Sequence, residues 1–265
     1  MNTFKLNGIS VTDYEGNGEP LIFIHAYPLC SRMWDDQIEF FKNDYRVITY
    51  DIRGLGYSNE LDSYLFTMED LADDLENILD HMKIEKVHAC GLSVGGYILL
   101  RASERFPDRF SSLILADTKA DSDDHDGLLN RSASIKKIRS GMKEEFLDAM
   151  LQKLISSKSS ENTALRKRIR EIMSWMDING LCSVMIAIAT RTNFSYRIKD
   201  INIPSLIVVG SDDVMTPVIN SFYLKEGIKN SVFKTIAGAG HLSSMERPDE
   251  FNKIVSEFLK GIKKK

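Results

Sequence analysis

Val87-His88-Ala89-Cys90-Gly91-Leu92-Ser93-Val94-Gly95-Gly96-Tyr97-Ile98-Leu99-Leu100 reads as a strand, a tight turn and a helix in direct succession. Val87 to Cys90 is a short apolar run suited to a strand covered on both faces. Val94 to Phe106 carries a helical pattern, which Pro107 forbids from continuing. A serine at such a junction sits in a strained turn, and small residues two positions to either side let the chain pack that closely. Gly91 and Gly95 meet that need. The hydroxyl of Ser93 is then held clear of the sheet, and the first amides of the helix point outward with their positive dipole. The Val94 amide is therefore a candidate oxyanion donor.

Working outward, Leu21-Ile22-Phe23-Ile24, Val47-Ile48-Thr49-Tyr50, Leu113-Ile114-Leu115-Ala116 and Leu206-Ile207-Val208-Val209 repeat the covered-strand pattern. Helical candidates lie between them at Met33 to Phe41 and Met68 to His81. This βαβ series predicts an α/β fold: a mostly parallel central sheet, helices on both faces, right-handed crossovers, and functional loops at the carboxyl ends of the strands. From Lys119 to Tyr196 the strand pattern stops, and helical stretches carrying Met142, Met150, Met173, Met176 and Met185 take over. Residues 1–118 and 197–265 are expected to form the core and 119–196 an inserted helical cap. The methionines either fill the cap's own packing or face the site, where thioethers suit loosely specified apolar substrates.

A chain of 265 residues with 43% apolar residues, dispersed along it, builds a sizeable core without a membrane-length apolar run. No basic stretch followed by an apolar segment opens the chain, so a cytoplasmic protein without membrane contact is expected. Cys30, Cys90 and Cys182 stand far apart, in neither a disulfide nor a zinc spacing. A formal charge of -4 with interspersed signs leaves no footprint for nucleic acid. Arg166, Lys167, Arg168 and Arg170 alternate with Leu165, Ile169, Ile172, Met173 and Met176 at helical spacing, so the charges are read as a wet helix face. Lys263-Lys264-Lys265 is read as a solvated tail. Asp121, Asp123, Asp124, His125 and Asp126 lack the spacing of a calcium loop and are read as a solvated turn entering the cap, with no metal expected.

A serine hydroxyl is a weak nucleophile until a base takes its proton. His81 ends a helix, His88 lies in a strand and His125 sits in the acidic turn, so structural roles suffice for them. His241, in Ala237-Gly238-Ala239-Gly240-His241, follows the strand candidate Val232 to Ile236 and precedes a helix near Arg247-Pro248-Asp249. Glycines there let a loop carry it inward, and it is the candidate base. An acid is needed to fix the imidazole tautomer and stabilise the imidazolium. Asp212 and Asp213 both follow the strand ending at Gly210, and either could cap the helix after Thr216-Pro217. The order Ser, Asp, His is that of α/β-hydrolases.

From Leu6 to the final helix the chain resembles the esterase, enol-lactonase and cofactor-free haloperoxidase group of α/β-hydrolases, the cap least. Gly210-Ser211-Asp212-Asp213-Val214-Met215-Thr216-Pro217 resembles that group's acid turn, which selects Asp213 over Asp212, and Gly240-His241 with Glu246-Arg247-Pro248 resembles its histidine loop. Asp117 stands where some relatives carry the acid instead. His25-Ala26-Tyr27-Pro28 resembles His-Gly-x-Pro, which implies the Tyr27 amide as second oxyanion donor. Ala26 replaces the glycine, so a positive φ there would strain the loop. Asp51-Ile52-Arg53-Gly54-Leu55-Gly56-Tyr57-Ser58 resembles a structural loop of the group.

The expected activity is a serine hydrolase, carboxylesterase-like or lactonase-like, acting on a small carboxylic ester or lactone through an acyl-enzyme on Ser93. Catalytic Ser93, Asp213 and His241 and oxyanion amides Tyr27 and Val94 need no cofactor, and a monomer or homodimer is expected. Carbon–carbon bond hydrolysis or perhydrolysis would reuse the same residues. A small-molecule sensor presenting its cap to a protein partner is the expectation from another class.

Overall fold

The computed structural model describes residues 1–262, so the expectation for Lys263–Lys265 lies outside the described residues. Strands β1 (Asn2–Leu6), β2 (Ile9–Asp13), β3 (Pro20–Ile24), β4 (Arg46–Tyr50), β5 (Val87–Leu92), β6 (Phe110–Ala116), β7 (Ser205–Gly210) and β8 (Ser231–Ile236) form one sheet. Its order is β1-β2-β4-β3-β5-β6-β7-β8. β1, β2 and β4 pair antiparallel, and every neighbour from β4 to β8 pairs parallel. All six strand candidates named from the sequence are present, each longer by one to three residues than its apolar run. The extensions are residues such as Pro20, Arg46 and Ser205, which join the ladder without contributing apolar bulk.

Helices α1 (Asp35–Phe41), α2 (Met68–His81) and α3 (Val94–Arg105) connect the first parallel strands. A 3-10 turn at Ser31–Trp34 replaces the first turn of the helix expected from Met33. The step from β3 to β4 runs in the opposite direction across the sheet from the step from β4 to β5, so right-handed crossovers place α1 and α2 on opposite faces. On one face Trp34 meets Phe23 and Phe251, and Gln37 of α1 donates to Asn252 at 3.0 Å. Asn252 belongs to α10; between β6 and β7 come α4 (His125–Arg139), α5 (Lys143–Leu154), α6 (Thr163–Ser174) and α7 (Ile178–Ala189), and after β7 come α8 (Val218–Gly227), α9 (Ser243–Glu246) and α10 (Pro248–Ile262).

The four helices between β6 and β7 fall within the stretch where the strand pattern stops. Two of their cations are committed rather than merely wet: Arg168 pairs with Asp36 at 2.7 Å, and Arg170 with Asp148 at 2.6 Å. The acidic turn also departs from expectation. Asp123 is half-buried between Arg131 and Arg191, whose two guanidinium groups compensate the charge that water would otherwise hold. Asp124 caps α4 by accepting from the Gly127 amide at 2.8 Å. All three cysteines are buried and unbridged. No single helix among the described residues is long and apolar enough to cross a membrane.

Candidate active site

Ser93 stands at φ 56°, ψ -112°, a left-handed conformation that L-residues adopt only at a cost. The surroundings enforce it. Its amide donates to the Ala116 carbonyl at 3.0 Å, and its carbonyl accepts from the Thr118 hydroxyl at 2.8 Å. A Cβ on Gly91 would lie 2.4 Å from the Gly95 carbonyl oxygen, and one on Gly95 would lie 2.4 Å from that of Ile24. The glycines at both positions therefore answer to close backbone approach. Ser93 itself is half-buried and opens onto a cavity of about 610 Å³ at the carboxyl ends of the strands, which His241, Tyr27 and Thr216 also line.

His241 and Asp213 meet in the same place. The imidazole Nδ1 donates to Asp213 Oδ2 at 2.8 Å, and both side chains are buried. Asp213 Oδ1 accepts the Met215 and Thr216 amides at 2.7 and 3.0 Å, and Oδ2 accepts the Thr216 hydroxyl at 2.6 Å. Burial alone would push this carboxyl up, but the His241 charge and the hydrogen bonds from His241 and Thr216 outweigh it and hold the pKa at about 2. With Nδ1 donating to a fixed carboxylate, Nε2 is left as the free lone pair of the neutral ring. Asp212, the competing acid, is exposed and accepts from Ser211 instead. Asp117 does not reach the imidazole either: its carboxyl accepts from the Gly210 amide at 2.8 Å and from the Ser243 hydroxyl.

Ala26 does not take a positive φ, so its methyl group puts no left-handed strain on the loop at His25. The Ala26 amide points to Met33 Sδ at 3.2 Å, and its carbonyl accepts from Leu29 at 2.9 Å. His25 is fully buried and works as a clamp: Nδ1 donates to the Ala26 carbonyl at 3.0 Å, and Nε2 accepts the Ile52 amide at 2.8 Å. Burial lowers its pKa, which keeps the ring neutral as that pattern requires. Among the described residues neither the Tyr27 nor the Val94 amide donates to a protein acceptor. The Asp51–Ser58 segment is a scaffold: Asp51 accepts from the Ser31 and Tyr57 amides, both at 2.7 Å.

Three supporting residues gave no signal of their role in the sequence. Thr216 is one, and Asp117 and Glu246 are the others. Glu246 is buried, accepting from the Gly240 amide at 2.8 Å and from the Ser156 amide at 2.9 Å. Ser156 in turn donates to the Gly238 carbonyl at 3.0 Å, and the Leu242 amide donates to Leu154 at 2.9 Å. The loop bearing His241 is thus stapled to the segment that follows α5. Glu246 was visible as part of the Glu-Arg-Pro stretch, but its partner Ser156 lies far upstream.

The cavity wall is more ionic than a methionine-rich cap suggests. Met150 and Met185 do line it, whereas Met173 and Met176 are packed inside the fold and Met142 is exposed. Lys119, Arg131, Lys137 and Lys153 line it together with Asp121, Asp123 and Asp124. A second groove of about 700 Å³, between β8 and α10, is lined by Leu206, Val232, Ile254 and Phe258 and holds none of Ser93, Asp213 and His241.

A strained serine turn after the central strand of a mostly parallel eight-stranded sheet defines the class, an α/β hydrolase. The alpha/beta hydrolase fold family matches residues 19–248, and the chain belongs to it. 3-Oxoadipate enol-lactonase 1 of Acinetobacter baylyi is 28% identical, over 97% of this chain and 99% of that protein. A malate-bound thermophilic esterase from Thermogutta terrifontis is 27% identical, with a TM-score of 0.92 over 99% of both chains. A bromoperoxidase from Bacillus anthracis is 26% identical, with a TM-score of 0.84 over 95% of both.

Proposed function

We propose that this protein is a serine hydrolase that cleaves a small carboxylic ester or lactone through an acyl-enzyme on Ser93. The observation that carries the reading is the 2.8 Å contact of His241 Nδ1 with Asp213, at a cavity onto which the strained Ser93 turn also opens. His241 takes the hydroxyl proton as Ser93 attacks the carbonyl carbon. The negative charge that develops on the carbonyl oxygen is met by the Tyr27 and Val94 amides, each such donor lowering the barrier by on the order of 3 kcal/mol. His241 then returns its proton to the leaving alkoxide, which departs as the alcohol, or stays tethered when the substrate is a lactone. Water, deprotonated by His241, attacks the acyl carbon; the Ser93–acyl bond breaks as His241 returns that proton to the serine oxygen, and the acid is released. Every proton in this cycle is carried by protein groups or water, so it calls for no metal or cofactor.

The 119–196 segment acts as the cap that builds the substrate pocket, and the core consists of residues 1–118 and 197–265. A cytoplasmic monomer or homodimer meeting only its small-molecule substrate is the matching setting. Turnover of short-chain p-nitrophenyl esters, compared between the wild type and Ser93→Ala, tests the reading. Loss of turnover by about 10³-fold or more supports it, and survival at the wild-type level contradicts it. The likeness to a bromoperoxidase favours one second reading, perhydrolysis, in which peroxide replaces water in the last step. Peracid formation outpacing ester hydrolysis on one preparation would select it. Ligand-dependent capture of a protein partner with negligible turnover would instead select a sensor.

A further inference from the structure

Ala116, Asp117 and Thr118 touch all three segments that carry the proposed catalytic residues. The Ala116 carbonyl accepts from the Ser93 amide at 3.0 Å, and the Thr118 hydroxyl donates to the Ser93 carbonyl at 2.8 Å. Between them the Asp117 side chain reaches the other way. Its Oδ1 accepts from the amide of Gly210, three residues before Asp213, and its Oδ2 from the hydroxyl of Ser243, two residues after His241. The backbone of Asp117 stands at φ 43°, a left-handed value that Asp and Asn tolerate better than other side chains. That twist is what lets neighbours in sequence face the serine turn while the carboxyl faces the acid turn and the histidine loop.

We propose that Asp117 is a positioning residue, a bridge that holds the Asp213 turn and the His241 loop in register with the Ser93 turn. This inference rests on the hydrolase reading above and goes beyond it, since Asp117 touches neither the substrate nor the imidazole. Among the described residues no cation pairs with Asp117, which is fully buried. Burial, and then the nearby Asp213 charge, push its carboxyl well above the ordinary carboxylate range despite the bonds from Ser243 and Gly210. The geometry asks one oxygen to accept from the Gly210 amide and the other to meet the Ser243 hydroxyl. An asparagine has the same shape, accepts from Gly210 through its oxygen and donates to Ser243 through its nitrogen.

The test compares Asp117→Ala, Asp117→Asn and Ser243→Ala on a p-nitrophenyl ester, with Ser93→Ala as control. Asp117→Ala should lower kcat by about 30-fold or more while KM stays within about threefold, because a misplaced base and acid slow chemistry rather than binding. Asp117→Asn should restore kcat to within about fivefold of wild type. Should Asp117→Ala fail to fold, Ser243→Ala removes the hydroxyl at one end of the bridge and should lower kcat by about five- to tenfold with KM unchanged. Wild-type kcat in Ser243→Ala and in a folded Asp117→Ala overturns the proposal, as does Asp117→Asn as slow as Asp117→Ala. If Ser93→Ala retains full activity, the hydrolase reading itself fails. If Ser93→Ala is inactive while the Asp117 and Ser243 variants behave as wild type, only the bridge fails.

Discussion

His241 Nδ1 lies 2.8 Å from Asp213 Oδ2, an oxygen that also accepts the Thr216 hydroxyl at 2.6 Å. The carboxylate is thereby saturated on both oxygens before any substrate arrives, which fixes the imidazole tautomer. Asp213→Asn would offer an amide in place of one acceptor and favour the wrong tautomer. It should lower kcat by about 10³- to 10⁴-fold in steady-state ester hydrolysis. The exposed neighbour in Asp212→Asn should leave the rate within twofold, about 0.4 kcal/mol of barrier.

Thr216→Val removes one hydrogen bond to Asp213 and keeps the side-chain shape. The Asp213 carboxyl should rise from about 2 toward its ordinary value. Resonances of the Asp213 carboxyl carbon followed through an acid titration would read the change, and kcat should fall several-fold.

The two glycines of the serine turn answer to space, and so each should resist even a methyl group. Gly95→Ala would press Cβ to 2.4 Å from the Ile24 carbonyl oxygen. It should cost about 2 kcal/mol or more of stability and most of the activity. Gly261→Ala meets nothing within 4 Å, and in a helix should be neutral or stabilising by up to about 1 kcal/mol. Chemical denaturation of both variants, side by side, checks the contrast.

Acid should destabilise the fold in two stages of known sign. His25 has a folded pKa below its ordinary 6.5, so the unfolded chain binds the proton first. Its contribution is complete above about pH 6.5 and is lost as the pH falls below that value. Asp213 contributes stability above the unfolded carboxylate range, worth about 2 kcal/mol, and loses it as the pH falls toward 2. Asp117 has the opposite sign: its raised pKa costs stability as the pH climbs above the unfolded value of 3.8. Asp117→Asn should therefore gain stability relative to wild type as the pH rises from 4 to 8, measured by urea unfolding at each pH.

The sheet was legible because strands covered on both faces are apolar at every position, a pattern that depends on little beyond the strand itself. The serine turn was legible for a similar reason, its requirements being set within Gly91 to Gly96. Choosing Asp213 over Asp212 took the resemblance to the acid turn, since both lie at the same strand end. The 119–196 segment resisted reading because which methionine faces the cavity depends on what α5, α6 and α7 pack against: Met150 and Met185 line it while Met173 does not. The pairing of Asp123 was hidden likewise, its guanidinium partners Arg131 and Arg191 being contributed by two different places in the chain. Asp117 was flagged only as an alternative acid, because its partners stand 93 and 126 residues away.

The central claim is that Ser93 becomes covalently acylated, and the most direct measurement is active-site labelling with a fluorophosphonate followed by peptide mass mapping. The account predicts one adduct per chain, on Ser93, with esterase activity lost in proportion to labelling and no adduct in Ser93→Ala. Full activity in an unlabelled protein, or an adduct on another residue that tracks the loss of activity, would contradict it.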